Sequence, residues 1–406
     1  MTKIGYSTAG LPTFEVGRAE HPNNQPVSPG ATNEQTKEHL SKRGPLTLHD
    51  RNTAPARRVR SLAELDDIQA VWDSYYVAAE WASPMQHHLW ARTYAETYDM
   101  DHRLEVIIAG TGNAIAIAPL LRPRGLGRRL ELIGVKELYE LMDFLYLDSS
   151  DIGALATAVA STRLPIVLRR VRDASPALAA LKRAYQGKAI VFCRPAPGCP
   201  WIALDDSWVE PEQHVNSGRR SDLRRARRNA RKIGPVTSEI LSPTREELPS
   251  LLDEAYRVEA AGWKGRNKTA MLYDRPLGEF YRRYAPRASD RGMLRLCFLR
   301  IAGEAAAVQL AVVTGDRFWL FKIGYSEKYA RCSPGVLLML ETIRYAAQAG
   351  LRSYEFLGAV EPWIRNWTTL EHPCTSFRAY PLNFRGVTAF AIDAMAALIR
   401  RVRTDD

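Results

Sequence analysis

The chain has 406 residues, of which 46% are hydrophobic and 25% charged, with a formal net charge of +11. That length predicts two or three domains of ordinary globular composition. It sets aside fibrous and membrane-spanning classes, since no apolar run approaches the roughly 20 residues that a bilayer helix needs.

Residues 1–56 are rich in Pro, Asn, Thr and Gly, show no sustained periodicity, and read as a disordered tail. Their opening stretch lacks the apolar core of an export signal, and the five cysteines (193, 199, 297, 332 and 374) are scattered and odd in number. A cytoplasmic protein is expected. Cys193, Cys199 and His214 form no metal-ligand spacing, so no metal is expected.

From Arg58 the pattern predicts a helix through Leu62, Leu65, Ile68 and Trp72, and a second at Gln86–Tyr98. Strands follow at Leu104–Ala109 and Ala114–Leu121 around a turn at Gly110–Asn113, then at Arg128–Ile133, Phe144–Leu147, Ile166–Val171 and Trp201–Leu204. A second region opens with a basic helix and continues through helices near 245–261 and 276–290 into strands Met293–Ile301 and Ala305–Thr314. Phe377–Pro381 reads as a further strand, and Val387–Val402 as a terminal amphipathic helix. The expected units are therefore a 57–205 half, a 206–386 half and a 387–406 helix and tail. Each half runs from helices to antiparallel strands to a crossover, an α/β or α+β pattern.

The most informative stretch is 317–358. An aromatic, β-branched strand (RFWLFKIGY) leads through a short loop to a helix with apolar positions Val336, Leu337, Leu340, Ile343 and Ala347, closed by Gly350 and followed by a strand (YEFLG). Ser333 stands at the N-cap, Pro334 at the first helical position and Gly335 just inside. Such a start leaves backbone N–H groups free to bind phosphate, and Lys328 and Arg331 add charge.

Taken in order, Glu259, the Trp263-Lys264-Gly265 turn, Phe280-Tyr281, the strand pair Leu294–Val313, the Lys322–Tyr325 strand end, Ser333-Pro334-Gly335 and Tyr354–Gly358 resemble the acetyltransferase family associated with cellulose biosynthesis. This is the CelD- or BioF2-like branch of the GNAT acyltransferase superfamily. Gln86, Trp90 and the Pro119-Leu120 strand end extend the resemblance to roughly residues 58–385.

The resemblance implies tandem GNAT-like domains, each a mixed, largely antiparallel sheet flanked by helices. It also implies acetyl-CoA or another acyl-CoA as donor, with an acyl carrier protein as a further donor class. The cofactor would lie along Ile323 and Gly324, with its pyrophosphate at Lys328, Arg331, Ser333, Gly335 and Val336. Glu355, a carboxylate inside an apolar strand, is the first candidate base and Glu259 the second; Tyr325 is the candidate acid for the departing thiolate. Trp263, Lys264, Trp363, Arg365 and Trp367 are the candidate substrate-binding residues. Where the family often carries a lysine, this chain has Ile364, which puts acceptor choice and turnover in question.

The implied reaction is acyl transfer to an amine or hydroxyl of a polysaccharide, cell-envelope precursor or small metabolite. Two other readings stand beside it: a Fem-like transferase drawing on aminoacyl-tRNA, and a catalytically silent binding protein with the same fold.

The segment Arg219–Lys232 carries +7 of the +11 net charge. As a helix it sets Arg220, Arg224, Arg227, Arg228 and Arg231 on one broad face and Leu223, Ala226, Ala230 and Ile233 on a narrow apolar stripe opposite. Its expected role is a solvated face beside the active cleft or a dock for an anionic partner: tRNA, an acyl carrier protein or a membrane surface. For Val387–Arg403 two readings stand as well, docking on its own domain and peripheral contact with a membrane.

Overall fold

Ser61 accepts from the Glu64 N–H at 3.2 Å and so starts the first helix of the computed structural model, which describes residues 56–404 apart from 112, 113, 123, 126, 136, 139, 149 and 150. The tail before Ala56 and half of the Gly110–Asn113 turn lie outside the described residues.

The first half contains β1 (Arg57–Val59), α1 (Leu62–Asp67), α2 (Gln69–Ala78), α3 (His88–Thr97), β2 (Val106–Thr111), β3 (Ala114–Ala118), β4 (Leu120–Leu121) and β5 (Leu130–Leu132). It continues with α4 (Asp151–Ser161), β6 (Ile166–Arg172), α5 (Pro176–Tyr185) and β7 (Ala189–Ala203). The helix expected through Trp72 is two helices, because Ile68 leaves helical geometry at φ −98°, ψ 2°. The strand expected at Phe144–Leu147 reduces to one bridge, Leu145 to Ile117.

The second half holds α6 (Ser217–Ile233), β8 (Val236–Leu241), α7 (Leu248–Ala260), α8 (Trp263–Arg266), α9 (Arg275–Ser289), β9 (Leu294–Ile301), β10 (Glu304–Thr314) and β11 (Arg317–Tyr325). After these come α10 (Pro334–Gln348), β12 (Ser353–Glu355), β13 (Glu371–Pro381) and α11 (Phe384–Thr404).

Strands β1–β3 form a small sheet, and the other strands form one mixed sheet in the order β4-β5-β6-β13-β7-β12-β11-β10-β9-β8. The expected α/β class with helices flanking a mixed sheet is what the chain adopts. The two halves share that sheet: β7 pairs with β13 along residues 189–200 and with β12 at Trp201–Ala203. Strand β13, from late in the chain, sits between β6 and β7 of the first half.

One apolar cluster lies on the face covered by α3, α7 and α9, the other under α6 and α10. The halves are locked where Trp90 of α3 meets Phe280, Tyr284 and Phe321 at ring-centroid distances of 4.8, 5.4 and 5.6 Å. Glu96 of α3 accepts from Arg283 at 2.8 Å and Arg287 at 2.6 Å on α9 beside it.

Candidate active site

Leu310 pairs with Lys322 while its neighbour Ala311 pairs with Leu320, so Phe321 is an extra residue and β11 carries a bulge there. The parallel pairing of β11 with β12 covers only Arg317–Trp319 opposite Ser353–Glu355. Beyond it Leu357 and Gly358 take left-handed φ of 56° and 53°, and the chain turns away. The β12-facing edge of β11 is thereby opened from the bulge to Tyr325, a slot between two parallel strands that ends at the start of α10.

Three ionisable side chains from distant parts of the chain meet at the bulge: Glu140, Tyr281 of α9 and Lys322. Glu140 is 6% exposed, and its carboxylate accepts from the Gly358 N–H. The carbonyl of Gly358 is held by buried Arg170, which also donates to the Gly198 carbonyl at 2.9 Å. The turn that opens the slot is therefore fixed from both sides. Glu140 Oε2 and Tyr281 Oη are buried and have no hydrogen-bond partner among the described residues. Buried polar atoms of this kind mark a place where a ligand or water completes the structure. Burial raises the Glu140 carboxyl above its ordinary value against the pull of Lys322 and Arg170, and it raises the Tyr281 phenol further still. Burial lowers the Lys322 ammonium, with Glu140 opposing; its Nζ lies 5.2 Å from the Tyr281 ring centroid.

The sequence reading missed this cluster, although its signal was present. Lys322 is the one charged letter in FWLFKIGY, and Glu140 sits in the apolar run LYELMDFLYL. Each is a charge in a stretch that otherwise reads as core.

The expected residues divide between several places. Glu259 is 2% exposed and both its oxygens are engaged, one by Lys264 Nζ at 2.8 Å and the other by the Met271 N–H at 2.8 Å. Lys264 Nζ also donates to the Ile323 carbonyl at 2.7 Å, tying α8 to the open end of β11. With both oxygens committed in this way, the Glu259 carboxylate ties α8 and the Met271 backbone to the end of β11. Gly324 packs on it, and a Cβ there would stand 2.5 Å from Glu259 Cα. Gly324→Ala is expected to destabilise the fold by about 1–3 kcal/mol through overpacking, read as a lowered melting temperature.

Glu355 is also engaged, accepting from Ser353 Oγ at 2.7 Å and lying 3.0 Å from His372 Nε2, whose ring stacks on Trp201. It pairs in register with Trp319, which puts it about 20 Å along the strand direction from Tyr325 at roughly 3.3 Å per residue. Of the three expected catalytic residues, Glu259 lies beside the Gly324–Tyr325 strand end and Glu355 stands apart from both.

Tyr325 faces α10 instead, and a Cβ built on Gly335 would lie 3.7 Å from its ring. Ser333 stands at the N-cap position as expected, but it adopts φ 45° and its side chain makes no cap hydrogen bond. The Val336 N–H is bonded to the Ser333 carbonyl at 3.0 Å, so the expected phosphate cradle narrows to the Gly335 amide. Arg331 is exposed beside it, whereas Lys328 is spent on Glu304.

Trp263 is 48% exposed next to Lys264, while Trp367 and Ile364 are buried in the cluster under α10 and Trp363 packs half-buried against it. Arg365 points to solvent. The position held by Ile364 is therefore a core position in this chain.

The arginine helix α6 flanks the α10 start, where Asn229 Nδ2 donates to the Arg331 carbonyl at 3.1 Å. Leu223, Ala226 and Ala230 are buried as expected, but Ile233 is 52% exposed and Arg227 is drawn into an ion pair with Glu212. Among the described residues, no cluster of three or more His, Cys, Asp or Glu is arranged to hold a metal ion, and no helix is long and apolar enough to cross a membrane.

No curated protein matches the chain in sequence. In structure, FemX is 13% identical with a TM-score of 0.54, covering 78% of this chain and 96% of its own. The C-terminal domain of a protein described as a lysylphosphatidylglycerol synthetase, from Agrobacterium fabrum, is 14% identical with a TM-score of 0.53, covering 82% and 96%. A conserved protein of unknown function from Bacteroides thetaiotaomicron is 11% identical with a TM-score of 0.52, covering 80% and 99%. These likenesses concern the fold. In sequence, residues 217–365 match the family model of the acetyltransferase (GNAT) domain, a span that takes in β11, the slot and α10.

Proposed function

We propose that the protein transfers an acyl group from an acyl-CoA, acetyl-CoA foremost, to an amine or hydroxyl, with the transfer at the Glu140–Tyr281–Lys322 cluster. The observation that carries this reading is the pair of buried, unpartnered atoms, Glu140 Oε2 and Tyr281 Oη, at the bulge where β11 parts from β12. The thioester supplies the activated carbonyl. Glu140 takes the proton of the acceptor N–H or O–H as the new bond to the carbonyl carbon forms. The C–S bond breaks, and the thiolate takes a proton through Tyr281, whose phenol is replenished by the proton that Glu140 has just accepted, so that both side chains end as they began. Lys322 offsets the negative charge that develops between them.

The diphosphate of the donor fits the Gly335 amide with Arg331 beside it. The acceptor class follows the sequence resemblance: a polysaccharide, cell-envelope precursor or small metabolite.

Thermal unfolding of the full chain with CoA, acetyl-CoA and longer acyl-CoAs tests the donor. A CoA ester is expected to raise the melting temperature, by an amount equivalent to about 2.7 kcal/mol at a hundred times its Kd. Gly335→Glu, which sets a carboxylate in the cradle, is expected to abolish that rise. If no CoA species shifts the parent, the acyl-CoA reading fails.

A second reading, aminoacyl transfer from tRNA, is favoured by one observation. Arg224, Arg228 and Lys232 form an exposed stripe on α6 beside the α10 start, with no carboxylate partner among the described residues. Salt-sensitive stabilisation by bulk tRNA in place of CoA would select it.

A further inference from the structure

The terminal helix α11 is mounted the wrong way round for a helix that serves only its own domain. Its polar contacts face the protein: Asp393 takes an ion pair from Arg129 at 2.6 Å and hydrogen bonds from Arg378 and Tyr380. Ala389 is fully buried, and Phe390 stacks on Phe192 with ring centroids 6.0 Å apart. The opposite side carries Phe384 at 86% exposure, Val387 at 59%, Met395 at 60% and Leu398 at 58%, with Leu382 at 62% just before the helix. Positions 384, 387, 391, 395 and 398 follow the helical three-to-four spacing, so they form one stripe, about 20 Å long at 1.5 Å per residue. A soluble amphipathic helix places such a stripe against the core.

The surroundings of the stripe are basic. Arg385 on the helix, Arg128 in the loop that packs against it, and Arg163 and Lys188 in the turns that bond Asn383 and Leu382 are all exposed. Asp393 is the one acidic residue between 382 and 404, and Arg129 neutralises it; the sequence adds Arg400, Arg401 and Arg403 at the end. A second copy brought face to face would set these cations against their like. Residues 1–55 lack the periodic apolar positions needed to cover a stripe of this kind.

We propose that the outward face of α11 docks on an anionic lipid bilayer, lying in the interface with Phe384, Val387, Met395 and Leu398 below the headgroups and the basic rim among the lipid phosphates. Both halves of the chemistry are met there: apolar area leaves water, and each nearby Lys or Arg is drawn by the negative surface potential. The face is separate from the β11–β12 slot, so the docking stands or falls independently of the acyl-transfer reading.

Co-sedimentation of the full chain with vesicles of phosphatidylcholine alone and of phosphatidylcholine with 30 mol% phosphatidylglycerol tests it, alongside light scattering for oligomeric state. The expected result is partition onto the anionic vesicles at least ten times that onto the neutral ones, released by 0.5 M salt. The Phe384→Asp/Met395→Asp double variant, altered only at exposed positions, should lose that partition while its melting curve matches the parent's. Arg128→Glu/Arg385→Glu should weaken it at low salt. Absence of partition by the parent overturns the proposal, as does equal partition by the double variant. A solution dimer that the double variant dissociates would assign the face to a second copy and overturn it too.

Discussion

Glu140→Gln is expected to lower turnover by about 10²–10⁴-fold while leaving donor binding intact, because it removes a general base and keeps the shape of the side chain. The measurement is thiol release from the acyl-CoA with an acceptor that supports turnover, together with the ligand-induced melting shift. The pH profile carries the sign. Glu140 must be ionised to take a proton, and burial places its pKa above the ordinary glutamate value, so the parent's rate falls as pH drops through that raised pKa.

Stability runs in the opposite direction. A carboxyl whose folded pKa is raised contributes stability that is fully present below its unfolded pKa, and that contribution is lost as pH rises through the folded value. At neutral pH Glu140 is therefore a cost to the fold, and Glu140→Gln should melt no lower than the parent. A variant that is both inactive and unstable would mean that Glu140 serves packing. One that keeps the parent's rate would move the base elsewhere.

The β10–β11–α10–β12 unit was legible because each of its parts is a local signal: a Gly-Asp turn, an aromatic and β-branched run, a Ser-Pro-Gly helix start and a closing Gly350. Strand β7 was seen only at its end. Pro195, Pro197 and Pro200 interrupt its pattern, and they are tolerated because β12 flanks the strand only from Trp201 onward, so a missing N–H costs little there.

The site was legible in its backbone and illegible in its side chains. Glu355 read as a lone acid in an apolar strand, but its partner His372 arrives on β13, which no letter near 355 announces. Glu140 and Lys322 were each visible as misplaced charges. Their meeting depends on Arg170 and Glu140 gripping the turn at Gly358, a contact between three distant segments. Ser333 shows the same limit on a smaller scale. Its letter is a good cap, yet its left-handed backbone takes the hydroxyl out of capping geometry.

Glu259→Ala is the second large effect, and it separates an anchor from a base. The carboxylate is buried with its two oxygens committed to Lys264 and the Met271 N–H. Its removal leaves an ammonium paired only with the Ile323 carbonyl, and an amide without its acceptor. Breaking one partner of such a pair costs about 3–5 kcal/mol, far more than the pair adds over an apolar replacement, because the remaining charge is left buried. Lys264→Met should destabilise for the mirror-image reason. The double variant Glu259→Ala/Lys264→Met, which leaves no unpaired charge, should recover part of the loss, and the shortfall from additivity in melting or urea titration reports their coupling. Because Lys264 holds the Ile323 carbonyl at the open end of the slot, each single variant should also weaken the CoA-induced shift, while turnover per bound donor falls far less than in Glu140→Gln. The reverse pattern, a stable Glu259→Ala protein with turnover lost and its acid limb abolished, would return the proton to Glu259 and leave Glu140 as a structural carboxyl.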